Sequence, residues 1–259
     1  MKSLSSLKPN CLVVGASGGL GGAVAKQLDA LVGPERVLRV QRRSGSAEAG
    51  DTVSGLDYYS PDSIKATAES CIEKFPSIDV LLICSGTLQP DGETKPERAL
   101  RELDPTLATH LYTVNCVGPL QLLAHLSSAL APHSSVTNVS ARVGSISDNR
   151  LGGWHGYRMS KAAANQGFRT ASRELVRTRK SLVWSYHPGT VNTPLSRPFT
   201  SEKAREEGTK VLPAAEAAAR LVGLVDKALG EARDRDGAEL SKSPFHGGFF
   251  DHRWDPVEY

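Results

Sequence analysis

Tyr157 and Lys161 stand four positions apart in the run Tyr157-Arg158-Met159-Ser160-Lys161. On a helix that spacing puts both side chains on one face. A free phenol titrates near 10 and exchanges protons poorly at neutral pH. An ammonium group beside it favours the phenolate and lowers that value. A phenol so tuned can protonate a carbonyl oxygen during reduction, or take the proton of an alcohol during oxidation. The hydride in such a reaction belongs to a nicotinamide. A tyrosine and a lysine one turn apart are also common on plain surface helices, so the pair gains meaning from its setting.

Upstream, Gly15-Ala16-Ser17-Gly18-Gly19-Leu20-Gly21 follows the apolar run Cys11-Leu12-Val13-Val14. Glycine serves where the backbone turns at positive φ or must approach a ligand without a Cβ in the way. A helix opening after such a turn presents free N–H groups and its positive end to a pyrophosphate. The turn after the first strand therefore reads as a dinucleotide cradle. Gly15, Ser17, Gly18, Gly19, Leu20 and Gly21 are its candidate contacts. In such folds the adenosine ribose is read at the end of the second strand. There the chain has Gln41-Arg42-Arg43-Ser44 and no acidic residue. A guanidinium fork suits a phosphate, so Arg42 points to NADP(H) rather than NAD(H), with NAD(H) still open.

These groups need a scaffold, and the pattern supplies one. Apolar runs predict strands at 11–14, 37–40, 53–56, 80–83, 136–139 and 182–186, with a short seventh at 248–251. Helical spacing predicts helices at 23–31, 61–74, 107–130, 156–177 and 214–229. Ser60-Pro61 is a cap and first-turn proline. Pro119 inside the 107–130 segment predicts an irregular turn around 115–119. Residues 44–50 and the charge-rich stretch 231–243 read as loops, the latter solvated. Strands alternating with helices mean βαβ units. The expected fold is α/β: a single doubly wound Rossmann domain over residues 1–259, with a mostly parallel seven-stranded sheet and helices on both faces.

Composition removes several classes. The 259 residues carry 31 Lys+Arg and 28 Asp+Glu, a net charge of +3 with no concentrated basic stripe, so nucleic acid is not an expected partner. No apolar stretch approaches the roughly 18–20 residues of a membrane span, and the first eight residues lack the apolar block of a secretory signal. Cys11, Cys71, Cys84 and Cys116 form no CxxC pair and read as buried thiols of a reducing, cytoplasmic compartment. Seven scattered histidines without an HExxH give no metal site.

Together, the glycine turn, Asn115, the serine-bearing end of the fifth strand, the Tyr157–Lys161 pair and His187-Pro188-Gly189 resemble the short-chain dehydrogenase/reductase family over nearly the whole chain. The run from Ser140 to Trp154, with Gly247-Gly248-Phe249-Phe250-Asp251, resembles its C-factor or carbonyl-reductase-like branch. The resemblance implies roles. Tyr157 would be the proton donor or acceptor. Lys161 would hold the nicotinamide ribose and depress the phenol. Asn115 would hold a relay water in a distorted helix. Asp57 would contact the adenine, Gly86 would lie close to the cofactor, and Val191 and Thr193 would hold its carboxamide and phosphates. It also implies a homodimer or homotetramer packed through the long helices. Two positions depart from the family pattern. The slot of the family's serine holds Ala141, leaving Ser140 and Ser145 as equal candidates for polarising the substrate carbonyl, or no hydroxyl at all. The family's Asn-Asn-Ala-Gly is Ile83-Cys84-Ser85-Gly86 here, which removes the side chains that brace the sheet.

Smaller features complete the reading. Trp154 and His155 precede Tyr157 and would shape a substrate pocket or pack a loop. His187 would be a packed strand end or line the active-site mouth. Residues 193–206 sit where the family keeps a lid. The expected activity is NADP(H)-dependent hydride transfer between the nicotinamide and a small carbonyl or alcohol substrate. The alternatives are a cofactor-binding signalling protein with little turnover and, less suited to this length, an epimerase or dehydratase using the same pair.

Overall fold

The computed structural model describes residues 3–43, 51–200 and 210–259. Its strands are Cys11–Val14 (β1), Val37–Gln41 (β2), Thr52–Ser54 (β3), Ile78–Ile83 (β4), Leu130–Val139 (β5), Leu182–His187 (β6), Thr190–Val191 (β7), Val211–Leu212 (β8) and Phe249–Asp251 (β9). Its helices are Leu4–Leu7 (α1), Gly19–Val32 (α2), Pro61–Lys74 (α3), Pro105–Tyr112 (α4), Gly118–Leu126 (α5), His155–Thr178 (α6) and Ala214–Asp234 (α7). Seven strands form one sheet in the order β3-β2-β1-β4-β5-β6-β9, and every pairing in it is parallel. Beside it, β7 and β8 make a small parallel ribbon.

The central strands β1 and β4 are apolar at nearly every position because both faces are covered. Along β1, Cys11 and Val13 enter one core with Val24 and Leu28 of α2 and Leu221 and Val225 of α7. Leu12 and Val14 enter the other, with Ile64 of α3, Leu122 of α5 and Phe168 of α6. Side chains alternate across a strand, so one four-residue run serves both layers. The strand order turns back between β1 and β4, and it is outside the carboxyl ends of the strands at such a switch point that ligands of doubly wound sheets bind.

The expected elements are present, with informative shifts. The first predicted helix, α2, starts at Gly19, four residues before the expected Ala23, because its glycines pack on the turn: a Cβ at Gly21 would lie 2.2 Å from the Gly15 carbonyl oxygen. The 107–130 segment is α4, a π turn at Thr113–Val117 and α5, and Leu130 already belongs to β5. Pro119 has no N–H for the Asn115 carbonyl, which explains the irregular turn where it was expected. The 231–243 stretch is not a plain solvated loop. α7 runs on to Asp234, a 3₁₀ turn spans Gly237–Lys242, and Ala232, Leu240 and Ser243 are buried. Its charges face outward in pairs such as Arg235–Glu231 at 2.6 Å and Arg233–Asp79 at 2.7 Å. The predicted 44–50 loop and residues 201–206 of the predicted lid lie outside the described residues.

Candidate active site

The glycine turn is built for close approach. Gly15 has φ +83°, and a Cβ there would lie 2.7 Å from the Ser85 amide nitrogen, so the turns after β1 and β4 touch backbone to backbone. Only glycine fits that position without displacing the neighbouring strand end. α2 opens with no side-chain cap, leaving its first amides for an anion. Thr193, which is nearly buried, closes this end: its Cγ2 would be 2.6 Å from a Cβ at Gly19. Val191 is buried in β7 just before it. Arg42 and Asp57 lie exposed beyond β2 and β3. The Asp57 carboxylate accepts the Tyr59 amide at 2.9 Å.

The turn after β4 is braced by Tyr58. The Tyr58 hydroxyl is 2.7 Å from Ser85 Oγ, and the Tyr58 ring packs where a Cβ on Gly118 would be. The sequence offered a weak signal for this in the pairing of an aromatic after Asp57 with a glycine beside Pro119.

Tyr157 lies in the first turn of α6 and Lys161 one turn on, both buried, with the ammonium 5.9 Å from the phenol ring centroid. Lys161 Nζ donates to the Val139 carbonyl at 3.1 Å, which ties α6 to the end of β5. A Cβ on Gly86 would stand 3.3 Å from that Nζ and 3.1 Å from Asn115 Oδ1, so three elements converge there. Asn115 is a clamp. Its Oδ1 accepts the Thr87 amide at 2.8 Å, and its Nδ2 donates to the Thr87 carbonyl at 2.9 Å and to Ser160 Oγ at 3.0 Å. Thr87 and Ser160 escaped the sequence reading, because nothing in their spacing marks a contact that folding alone creates.

The electrostatics correct one expectation. Burial pushes the Tyr157 phenol above its ordinary value instead of leaving it lowered. Burial also pushes the Lys161 ammonium down to about 8, with the Cys116 thiol opposing the fall. Desolvation acts on both groups, raising the phenol and lowering the ammonium. The phenol is therefore protonated at neutral pH.

The two serines differ. Ser145 Oγ donates to the Glu258 carbonyl at 2.5 Å and accepts the Asp148 amide at 3.2 Å, so it fastens the chain's last residues to the loop after β5. Ser140 is buried and its Oγ has no partner among the described residues. Ala141 packs against the apolar cluster of Leu88, Leu107, Leu111 and Tyr157. His187 is a packed strand end: its ring lies 6.1 Å from that of His252, and burial lowers it to about 4, so it stays neutral. Among the described residues no His, Cys, Asp or Glu group could hold a metal, and no helix is long and apolar enough to cross a membrane. All four cysteines are free thiols.

A parallel doubly wound sheet with a glycine cradle and a Tyr–Lys helix defines a Rossmann-type oxidoreductase. Residues 9–204 match the family model for short chain dehydrogenases, and the chain belongs to the short-chain dehydrogenase/reductase family. It is similar to 1-hydroxy-2-glutathionyl-2-methyl-3-butene dehydrogenase of Rhodococcus sp. (strain AD45), 32% identical over 194 residues, covering 74% of this chain and 81% of that one. It is also similar to the C-signal of Myxococcus xanthus, 34% identical over 102 residues, 39% of this chain and 61% of that one. In fold it matches the carbonyl reductase Sniffer of D. melanogaster, with TM-score 0.76, 19% identity, and 97% and 100% of the two chains covered. A short-chain dehydrogenase/reductase of Burkholderia multivorans with bound NADP matches with TM-score 0.76, 24% identity, and 97% and 99% covered.

Proposed function

We propose that this enzyme is an NADP(H)-dependent carbonyl reductase, acting in reverse as an alcohol dehydrogenase on small molecules. The observation that carries the reading is the convergence of Tyr157, Lys161, Asn115 and Gly86 at the carboxyl ends of β4 and β5, beside the glycine cradle. The residues fit a dinucleotide: the cradle has no room for a Cβ at Gly15, α2 is uncapped, and a buried hydroxyl on Ser140 is unpaired. Gly15, Ser17, Gly18, Gly19, Leu20 and Gly21 would hold the pyrophosphate, with Thr193 alongside. Arg42 would take the 2′-phosphate and Asp57 the adenine, and Val191 would take the carboxamide. When bound, the nicotinamide supplies or accepts the hydride.

Tyr157 gives its proton to the carbonyl oxygen, and the protonated state that burial imposes is the one reduction needs. Lys161 binds the ribose and, while cationic, favours the phenolate left behind. Asn115 positions the turn after β4 against α6 beside any relay water. Ser140, with its uncommitted hydroxyl, is the second donor to the carbonyl, and Ser145 is structural. Replacement of Tyr157 by Phe should leave NADPH affinity intact and reduce turnover of a carbonyl panel by at least about a hundredfold. Turnover within a few fold of the parent would overturn the assignment. We further propose a cytoplasmic homodimer or homotetramer, checked by light scattering on the purified protein.

A second reading is a cofactor-binding signalling protein with weak turnover. Ala141 at the serine slot and the C-signal similarity favour it. Tight NADPH binding without reduction of any carbonyl tested would select it.

A further inference from the structure

Three successive residues before α6 are left-handed: Gly152 at φ +66°, Gly153 at +67° and Trp154 at +53°. Glycine adopts this conformation freely, but a tryptophan there must be held. Two residues hold it. Glu97, buried, accepts the Trp154 amide on its backbone carbonyl at 2.6 Å and the Gly156 amide on Oε1 at 3.1 Å. It thereby caps α6, which has no side-chain cap of its own. Arg158 reaches back to the carbonyls of Gly153 at 2.8 Å and Gly152 at 3.0 Å. The result is an indole fixed beside the reacting phenol. Its ring centroid is 6.2 Å from Tyr157, edge-on, and 4.9 Å from Phe199. This row of rings runs from the phenol to a cavity of about 520 Å³, where Trp154, Pro198 and Phe199 form an apolar wall. Glu93, Lys95 and Arg98 on the rim carry opposite charges, so the rim offers no strong selection by charge and the aromatic wall is left to discriminate.

Resting on the carbonyl-reductase reading, we propose that Trp154 is a specificity-determining residue that seats carbonyl compounds bearing a flat aromatic or conjugated group. Glu97 is its positioning residue. A flat π-system gains edge-to-face and offset contacts on this wall that a short aliphatic chain does not. Glu97 also ties the cavity's rim, through its neighbours Pro96 and Arg98, to the helix turn that carries Tyr157.

The test compares 4-nitrobenzaldehyde with butanal under NADPH. Trp154→Ala should raise KM for the aryl aldehyde about tenfold, the usual scale for losing one apolar contact, and leave butanal within about threefold. Trp154→Phe should restore most of the difference. Glu97→Ala should behave like Trp154→Ala, and Glu97→Gln, which keeps the acceptor, should stay near the parent. Equal changes for both aldehydes, or none, would overturn the proposal. Benzamide, which does not react, is titrated into the same variants by calorimetry. Weakening by Trp154→Ala supports the aromatic seat and unaltered binding overturns it, even if the wild-type protein reduces neither aldehyde. The latter result would refute the carbonyl-reductase reading alone.

Discussion

Replacing Lys161 by Met should remove activity and also change how stability depends on pH. Lys161 is 4% exposed and its ammonium falls from 10.5 to about 8 on burial. That depression of about 2.5 units corresponds to about 3 kcal/mol of burial cost below pH 8, at 1.36 kcal/mol per unit. The sign follows from proton counts. Between pH 8 and 10.5 the unfolded chain still carries the lysine proton that the folded chain has lost. Unfolding then takes up a proton, so the folded state gains stability as pH rises through this window, and the cost is fully present below it. A methionine has no such term. From pH 7.5 to 9.5 the wild type should therefore gain about 2 kcal/mol relative to Lys161→Met.

At pH 7.5 the variant recovers the burial cost but leaves the Val139 carbonyl without its donor, a loss of about 1–3 kcal/mol, so it should be as stable as the wild type or slightly more so. Burial raises the four thiols, which pulls stability the other way above pH 8, but it does so in both proteins, apart from the Cys116–Lys161 coupling. The raised Tyr157 acts only above pH 10. Urea unfolding of the cofactor-free proteins at pH 7.5, 8.5 and 9.5, followed by circular dichroism, reads the difference directly. Parallel stability curves for the two proteins would refute the argument, because an ammonium titrating at its ordinary value would leave them parallel.

Other outcomes follow from single contacts. Ser140→Ala should lower turnover roughly tenfold with an unchanged melting temperature, whereas Ser145→Ala should keep turnover within about twofold and lose about 1 kcal/mol of stability; the reverse split would exchange their roles. Arg42→Ala should weaken NADPH about tenfold and NADH by less than about twofold, since a charged hydrogen bond to a phosphate is worth about 1.5–3 kcal/mol; equal losses by calorimetry would remove Arg42 from the 2′-phosphate. Trp184→Ala should cost about 3–5 kcal/mol in urea unfolding. That indole is buried, lies 5.3 Å from the Phe245 ring, and donates to Ser135 Oγ at 3.1 Å. A cost under about 1 kcal/mol would mean that this core repacks freely.

Where the sequence could be read and where it failed follows from what each pattern encodes. β1, β2 and β4 were legible because a strand covered on both faces must be apolar throughout, and α3 because Ser60 and Pro61 announce its start. The start of α2 is hidden in the sequence because glycines have low helix propensity, and contacts with the turn below them overrule it. Leu130 reads as helix in the sequence yet begins β5, because leucine at that spacing fits a helix or a buried strand equally well. The charge density at the end of α7 suggests a loop, although Leu229 and Ala232 continue the buried stripe while charges such as Arg235 and Glu231 pair with each other.

The candidate site shows the same division in sharper form. Spacing alone put Tyr157 and Lys161 on one face, because helix geometry is local. Their titration is set by what covers them, and that cover comes from β5, the turn after β4 and the π turn, all distant in sequence. Spacing thus places the two groups on one face but does not give the phenol's resting state, because it carries no information about the loss of water around them. The same reasoning separates Ser140 from Ser145. Both sit at plausible intervals from Tyr157, but one hydroxyl is bound by Glu258, which is distant in sequence. Burying the Lys161 ammonium carries a cost that its bond to the Val139 carbonyl does no more than offset, and selection for stability alone would not favour such an arrangement.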